Sequence, residues 1–128
     1  MNILKDVLDH SVALDRVFAA LSDTSRRQMV ERLGRGPASV SELAEPLAMS
    51  LAAVLQHVQI LEASGLVRSE KVGRVRTCQL EPKALDTVDG WVAGRRSDWE
   101  HRLDRLGRLL DDESLNRSEP HPPKRSTR

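Results

Sequence analysis

Two short stretches of this chain carry residue types suited to contacting another molecule. The first runs from Ser50 to Gln59. At about 100° per residue, Ala52, Gln56 and Gln59 share one side of a helix, opposite Val54, Val58 and Leu61. Leu51 and Leu55 fall on the border. A glutamine amide matches the N6 and N7 edge of adenine, and small apolar groups fit a thymine methyl. Ser50, at the head of this helix, is placed to meet a backbone phosphate. The second stretch runs from Arg68 to Arg76. It holds four bases (Arg68, Lys71, Arg74 and Arg76) against one acid, Glu70. The whole chain has a net charge of only +1, but a local patch of this kind is enough to meet phosphates. Alone, each stretch reads as an ordinary solvated surface. Placed side by side, they point to double-stranded DNA. His57 stays open: it either donates to a phosphate or base, or closes the packing of its own helix.

Other chemistry finds little support. There is no nucleophile beside a base, no Gly-rich phosphate loop and no pair of carboxylates in a plausible cleft. The expectation is therefore a non-enzyme with no cofactor. The single cysteine, Cys78, cannot form an internal disulfide; it reads as a small buried hydrophobe in a reducing cytoplasm. No apolar run nears the roughly 20 residues a bilayer requires, and the first residues lack the layout of a signal peptide. No membrane partner is expected. With 128 residues, 39% hydrophobic and 30% charged, the chain fits one domain plus a tail.

The elements that must position the two stretches follow from period and punctuation. Val12, Val17, Phe18 and Leu21 have near-helical spacing, and Ile3, Leu4, Val7 and Leu8 add an earlier turn or two. A second helix spans about Thr24 to Leu33, capped by Ser22 or Asp23 and stopped by Gly34 and Gly36. A third, short helix spans about Val40 to Leu47; Ser39 and Glu42 have capping-box spacing, and Pro46 limits its length. The fourth spans about Leu51 to Ser64, between Ser50 and Gly65. The tight connection between helices three and four is that of a helix-turn-helix. Two alternating runs, Leu66 to Glu70 and Arg74 to Leu80, then form a hairpin around Gly73. A last helix runs from about Lys83 to Leu110, with an apolar stripe through Leu85, Val88, Val92, Trp99, Leu103, Leu106 and Leu110. Gly90 and Gly94 weaken it locally.

The expected fold is mainly α with a small β-hairpin wing: a winged helix-turn-helix in the order α-α-α-α-β-β-α. Residues 1–110 form the DNA-binding and dimerisation domain, and residues 111–128 form a disordered tail. So long an amphipathic helix needs a partner surface, which a second copy would supply. The dimer contacts expected are Val7, Val17, Val92, Trp99, Leu103 and Leu106.

The sequence resembles the ArsR family of bacterial winged-helix repressors. The stretch LDRVFAALSDTSRRQMVERL, residues 14–33, looks like the family's opening motif. Residues 39–80 look like its helix-turn-helix and wing, and LEASGLV before a basic hairpin is particularly close. The resemblance covers about residues 12–110. It implies a homodimer on an inverted-repeat operator that represses transcription. It also implies that Ser50, Leu51, Ala52, Leu55, Gln56 and His57 approach DNA. Two departures stand out. Thr24 and Ser25 replace the family's usual Pro-Thr, and Leu51, Ala52 and Leu55 stand where polar residues or Pro are common. The recognition surface is unusually apolar, so it either reads thymine methyls or binds weakly. The metal ligands of many relatives are missing. Ser41 to Glu45 holds no thiol, and His101 with Asp104 gives one half of a last-helix site, while Val88 and Gly90 replace the other half. The expectation is no metal site, with His101 an ordinary polar residue on its helix and any small-molecule effector unidentified. Two rival readings are a metal- or ligand-responsive sensor of the same fold, and a protein-interaction adaptor, which the apolar Leu51 and Leu55 would suit.

Overall fold

A computed structural model describes residues 2–118. Nine elements follow in order: α1 (Ile3–Leu21), α2 (Thr24–Leu33), β1 (Ala38–Ser39), α3 (Val40–Ala44), a 3-10 turn (Glu45–Leu47), α4 (Leu51–Ala63), β2 (Val67–Val72), β3 (Val75–Leu80) and α5 (Pro82–Ser118). The chain divides into two units, residues 1–90 and 91–128.

The caps set the helix boundaries of the first unit. The Asp23 carboxylate accepts from the Arg26 backbone N–H at 3.0 Å and opens α2. Ser39 Oγ accepts from Glu42 N at 3.1 Å and opens α3. Ser50 Oγ accepts from Ala53 N at 3.1 Å and opens α4. The far end of α4 is a Schellman motif: Gly65 N–H reaches Glu62 O at 3.0 Å, and Leu66 N–H reaches Leu61 O at 3.1 Å. Gly65 takes a φ of 82°, which a side chain would resist. Leu61 and Leu66 then meet in the core, so the chain leaves α4 aimed into the hairpin.

Every element of the first unit except the 3-10 turn and the start of α5 places buried side chains in that core. Val17 and Ala20 come from α1, Met29 and Leu33 from α2, Ala38 from β1, Leu43 and Ala44 from α3, and Val54, Val58 and Leu61 from α4. Leu66, Val67 and Cys78 complete it from the hairpin, and Ala84, Leu85 and Val88 of α5 pack at its margin. Cys78 is buried, as a small hydrophobe should be. Val17 corrects the expected dimer contacts. It is only 2% exposed within its own subunit, because it lies on the side of α1 that faces α2 and α4.

Three other features depart from the sequence reading. The wing is a three-stranded antiparallel sheet in the order β1-β3-β2. Ala38 pairs with Cys78 and Ser39 with Thr77. Two residues are too few to show a period of two, so β1 left no signal. The hairpin is also tighter than expected. Val72 pairs with Val75, leaving Gly73 and Arg74 as a two-residue turn. Gly73 has a φ of 63°, which suits the first central position of such turns. Finally, α5 continues past Leu110 to Ser118, so residues 111–118 of the expected tail are helical. The rest of that tail lies outside the described residues.

In the second unit, α5 exposes Val92, Trp99, Leu103, Leu106, Leu109 and Leu110. Arg95 stacks over Trp91, 5.4 Å from the ring centroid. No helix among the described residues is long and apolar enough to cross a membrane.

Leu61→Ala removes a fully buried side chain at the centre of this core, and should cost about 2–5 kcal/mol in urea unfolding at fixed protein concentration. Asp23 adds a pH dependence. The Arg26 backbone N–H, followed by the Arg26 charge, holds its carboxyl below the usual carboxylate range. A depressed folded value means stabilisation that is complete above the unfolded value of about 3.9 and lost as pH falls through the folded one. Asp23→Ser keeps the cap but does not titrate, so its urea midpoint should fall less than that of the parent between pH 5 and pH 2.

Candidate nucleic-acid interface

Burying Val54, Val58 and Leu61 turns the other side of α4 outward. Leu51, Ala52, Leu55, Gln56 and Gln59 are all exposed. The first three line a groove of about 680 Å³ between the start of α4 and the wing. The lining also includes Lys71, Arg74, Val75 and Arg76 of the wing, and residues 39–42. The structure thus brings six of the ten expected contact residues onto one concave surface. Gln56 and Gln59 are exposed on the same helix but outside that lining. Ser50 keeps its hydroxyl proton free to donate, since its oxygen is already the acceptor for Ala53 N–H.

His57 is half-buried and is held within its own subunit by Arg26. Arg26 Nη1 lies 3.2 Å from His57 Nδ1. Arginine can only donate, so Nδ1 must accept and the ring proton sits on Nε2. The same guanidinium donates through Nε to Ala20 O at 2.7 Å and through Nη2 to Ala19 O at 3.3 Å. The neighbouring Arg27 donates to Leu21 O at 2.6 Å. These are terminal carbonyls of α1, whose last turn has no basic residue of its own. Arg26 therefore ties α1, α2 and α4 at one point. Sequence reasoning missed this residue, because its side-chain partners lie on two other elements.

A second link also escaped the sequence. Ser69 Oγ donates to the Glu62 carboxylate and accepts from Arg76 Nη1 at 2.9 Å. Glu62, on the last turn of α4, is thereby joined to β2 and β3. A signal did exist. Glu62 is seven residues past Leu55, hence on the same side of the helix as the groove. Nearby, burial pushes the Cys78 thiol up, and Glu62 adds in the same direction while Arg76 opposes. The thiol stays protonated and unreactive near neutrality.

In the same lining, the Glu42 carboxylate is occupied. Ser39 Oγ donates to it at 3.2 Å, and Arg32 lies 3.5 Å away. The charge facing the opening is therefore mainly that of Lys71, Arg74 and Arg76. On α5, His101 Nδ1 lies 2.8 Å from Ser97 O, within its own helix. Among the described residues, no group of three or more His, Cys, Asp or Glu is arranged to hold a metal ion.

A helix pair, α3 and α4, joined through the 3-10 turn and three further residues, followed by a β-hairpin beside the second helix, defines a winged helix-turn-helix. Comparison with known proteins agrees. A family model described as a helix-turn-helix domain matches residues 21–70. The HTH-type transcriptional regulator Rv2034 of Mycobacterium tuberculosis is 39% identical over 103 residues, covering 77% of this chain and 90% of that protein. An ArsR family transcriptional regulator of known structure, RHA00566, is 44% identical with a TM-score of 0.68, over 70% of this chain and 93% of that one. An ArsR-like regulator from Rhodococcus sp. RHA1 is 34% identical, again with a TM-score of 0.68, over 77% and 93%. The chain belongs to the ArsR family of DNA-binding transcriptional regulators.

The Arg26 latch generates a direct test. Arg26→Lys keeps the charge but cannot reach three acceptors at once. It should lower unfolding stability by about 1–3 kcal/mol. A long-range ¹H–¹⁵N spectrum of the parent at neutral pH should show His57 as the Nε2–H tautomer, and that signature should be lost in the variant.

Proposed function

We propose that this protein is a homodimeric cytoplasmic repressor that binds an inverted-repeat operator without a metal cofactor. One observation carries the reading: the exposed side of the first half of α4 and a cationic hairpin face one another across a single open groove. In helix-turn-helix docking, the second helix of the pair enters the major groove with its N-terminal residues against base edges. Ala52, Gln56 and Gln59 then read bases, while Ser50, Lys71 and Arg74 hold phosphates on either side. Arg76, partly committed to Ser69, contributes charge from the wall of the groove. Phosphate contacts fix the register, and base contacts supply the sequence preference.

Dimerisation is supported by apolar surface. On α1, Ile3, Leu4, Val7, Leu8 and Val12 are exposed. On α5 the exposed residues from Val92 to Leu110 form a second such face. Apolar faces of this extent call for a covering surface, and a second copy provides one by symmetry. The dimer would present two recognition helices about 34 Å apart, one turn of DNA. Occupying the operator then excludes the transcription machinery. Absence of thiols from residues 41–45 favours a regulator whose affinity does not depend on soft metals.

Lys71→Ala combined with Arg74→Ala should weaken binding to a duplex selected from a random pool. It should also reduce the slope of log K against log salt by about 2, roughly one per lost phosphate contact. An unchanged slope would remove the wing from the interface. Trp99→Glu with Leu106→Glu should convert the protein to a monomer in sedimentation velocity and abolish binding to the palindromic duplex. Zinc, cadmium or arsenite should leave the parent's affinity unchanged.

A further inference from the structure

The floor of the groove is apolar where a DNA-reading surface is ordinarily polar. Leu51 is 56% exposed, Leu55 36% and Val75 53%, and Ala52 and Val40 belong to the same lining. Among the described residues no buried side-chain polar atom lacks a hydrogen-bond partner, so the lining's polar ligand groups are its exposed ones. The same lining also carries the cations Lys71, Arg74 and Arg76, and Glu42 is already held by Ser39 and Arg32. The occupant that fits is therefore anionic along its edge and apolar where it touches the floor. Duplex DNA presents that combination at one place, where a thymine 5-methyl projects into the major groove between flanking phosphates.

We propose that Leu51, Leu55 and Val75 are specificity-determining residues that select thymine through its 5-methyl group. The inference rests on the docking proposed above and adds the chemical class of base that the surface prefers. Adenine contacts by Gln56 or Gln59 would select A·T pairs by hydrogen bonds. The floor selects the same pairs from the thymine side by burying a methyl. The two contributions differ in what they sense, because uracil keeps every hydrogen-bonding edge of thymine and lacks only the methyl.

The experiment uses the full-length protein and the tightest duplex recovered from a random pool. That duplex is resynthesised with deoxyuridine replacing thymidine, one position at a time. Burying one methyl corresponds to about a fourfold change in affinity. At one or more positions in each half-site the parent should therefore bind the uracil duplex about fourfold less tightly. That ratio should stay constant between low and high salt, since a methyl contact releases no counterion, while both affinities fall. Leu51→Ala with Leu55→Ala, checked for an unchanged circular dichroism melt, should bring the ratio close to one. If the parent selects a sequence but binds thymine and uracil duplexes equally at every position, the methyl preference is wrong and the docking stands. If no sequence is selected, both fall, and an apolar groove used for a protein partner becomes the better account.

Discussion

The architecture hangs on how one side of α4 is buried. Val54, Val58 and Leu61 are fully covered, and the residues that cover them come from α1, α2, α3 and the hairpin. A thirteen-residue helix held on that side by four other elements has little freedom to roll. Rolling it by one residue would expose about three large side chains, each worth roughly 1.5–3 kcal/mol of burial. The outward direction of Leu51, Ala52, Leu55, Gln56 and Gln59 is therefore a by-product of core packing. Sequence preference can change at those positions with little effect on the core.

Two polar links keep that helix in register with its neighbours. At its middle, the Arg26 guanidinium spans His57 and two carbonyls of α1. At its end, Glu62 is joined through Ser69 to Arg76. Apolar packing fixes which side faces inward but tolerates small slides along the axis. Directional hydrogen bonds at two points along the helix oppose such slides. They also explain why the wing and α4 can act as one unit, since the second link crosses between them.

Much of this was legible before any coordinates. The caps at Asp23, Ser39 and Ser50, the stop at Gly65 and the hairpin at Gly73 are all short-range signals, and each sits where its residue type suggested. The buried arc of α4 followed from the helical period. What was hidden depended on distant partners. Strand β1 is two residues long and exists because β3 offers it an edge. Arg26 sits in a Ser-Arg-Arg run that gives no sign of its partners on α1 and α4. Val17 was placed at an interface because a helical stripe does not say which of its apolar residues meet the subunit's own core. The groove drew residues 39–42 from elements whose sequences carry no mark of binding, and Val75 from within the basic stretch. The end of α5 was missed for another reason: residues 111–118 are polar apart from Leu115, and polar composition resembles a tail whether or not it is helical.

The hairpin's tight turn has a consequence for how such a fold can diversify. With only Gly73 and Arg74 between the strands, the reach of the tip is set by strand length, at about 3.4 Å per residue pair. Removing one pair would swap the two faces of the ribbon; removing or adding two would preserve them and shift the tip by nearly 7 Å. That distance equals about two base-pair steps of duplex. The ribbon is thus a ruler with coarse, even-numbered graduations, able to move its cationic end from one backbone position to another while the helix beside it keeps its place.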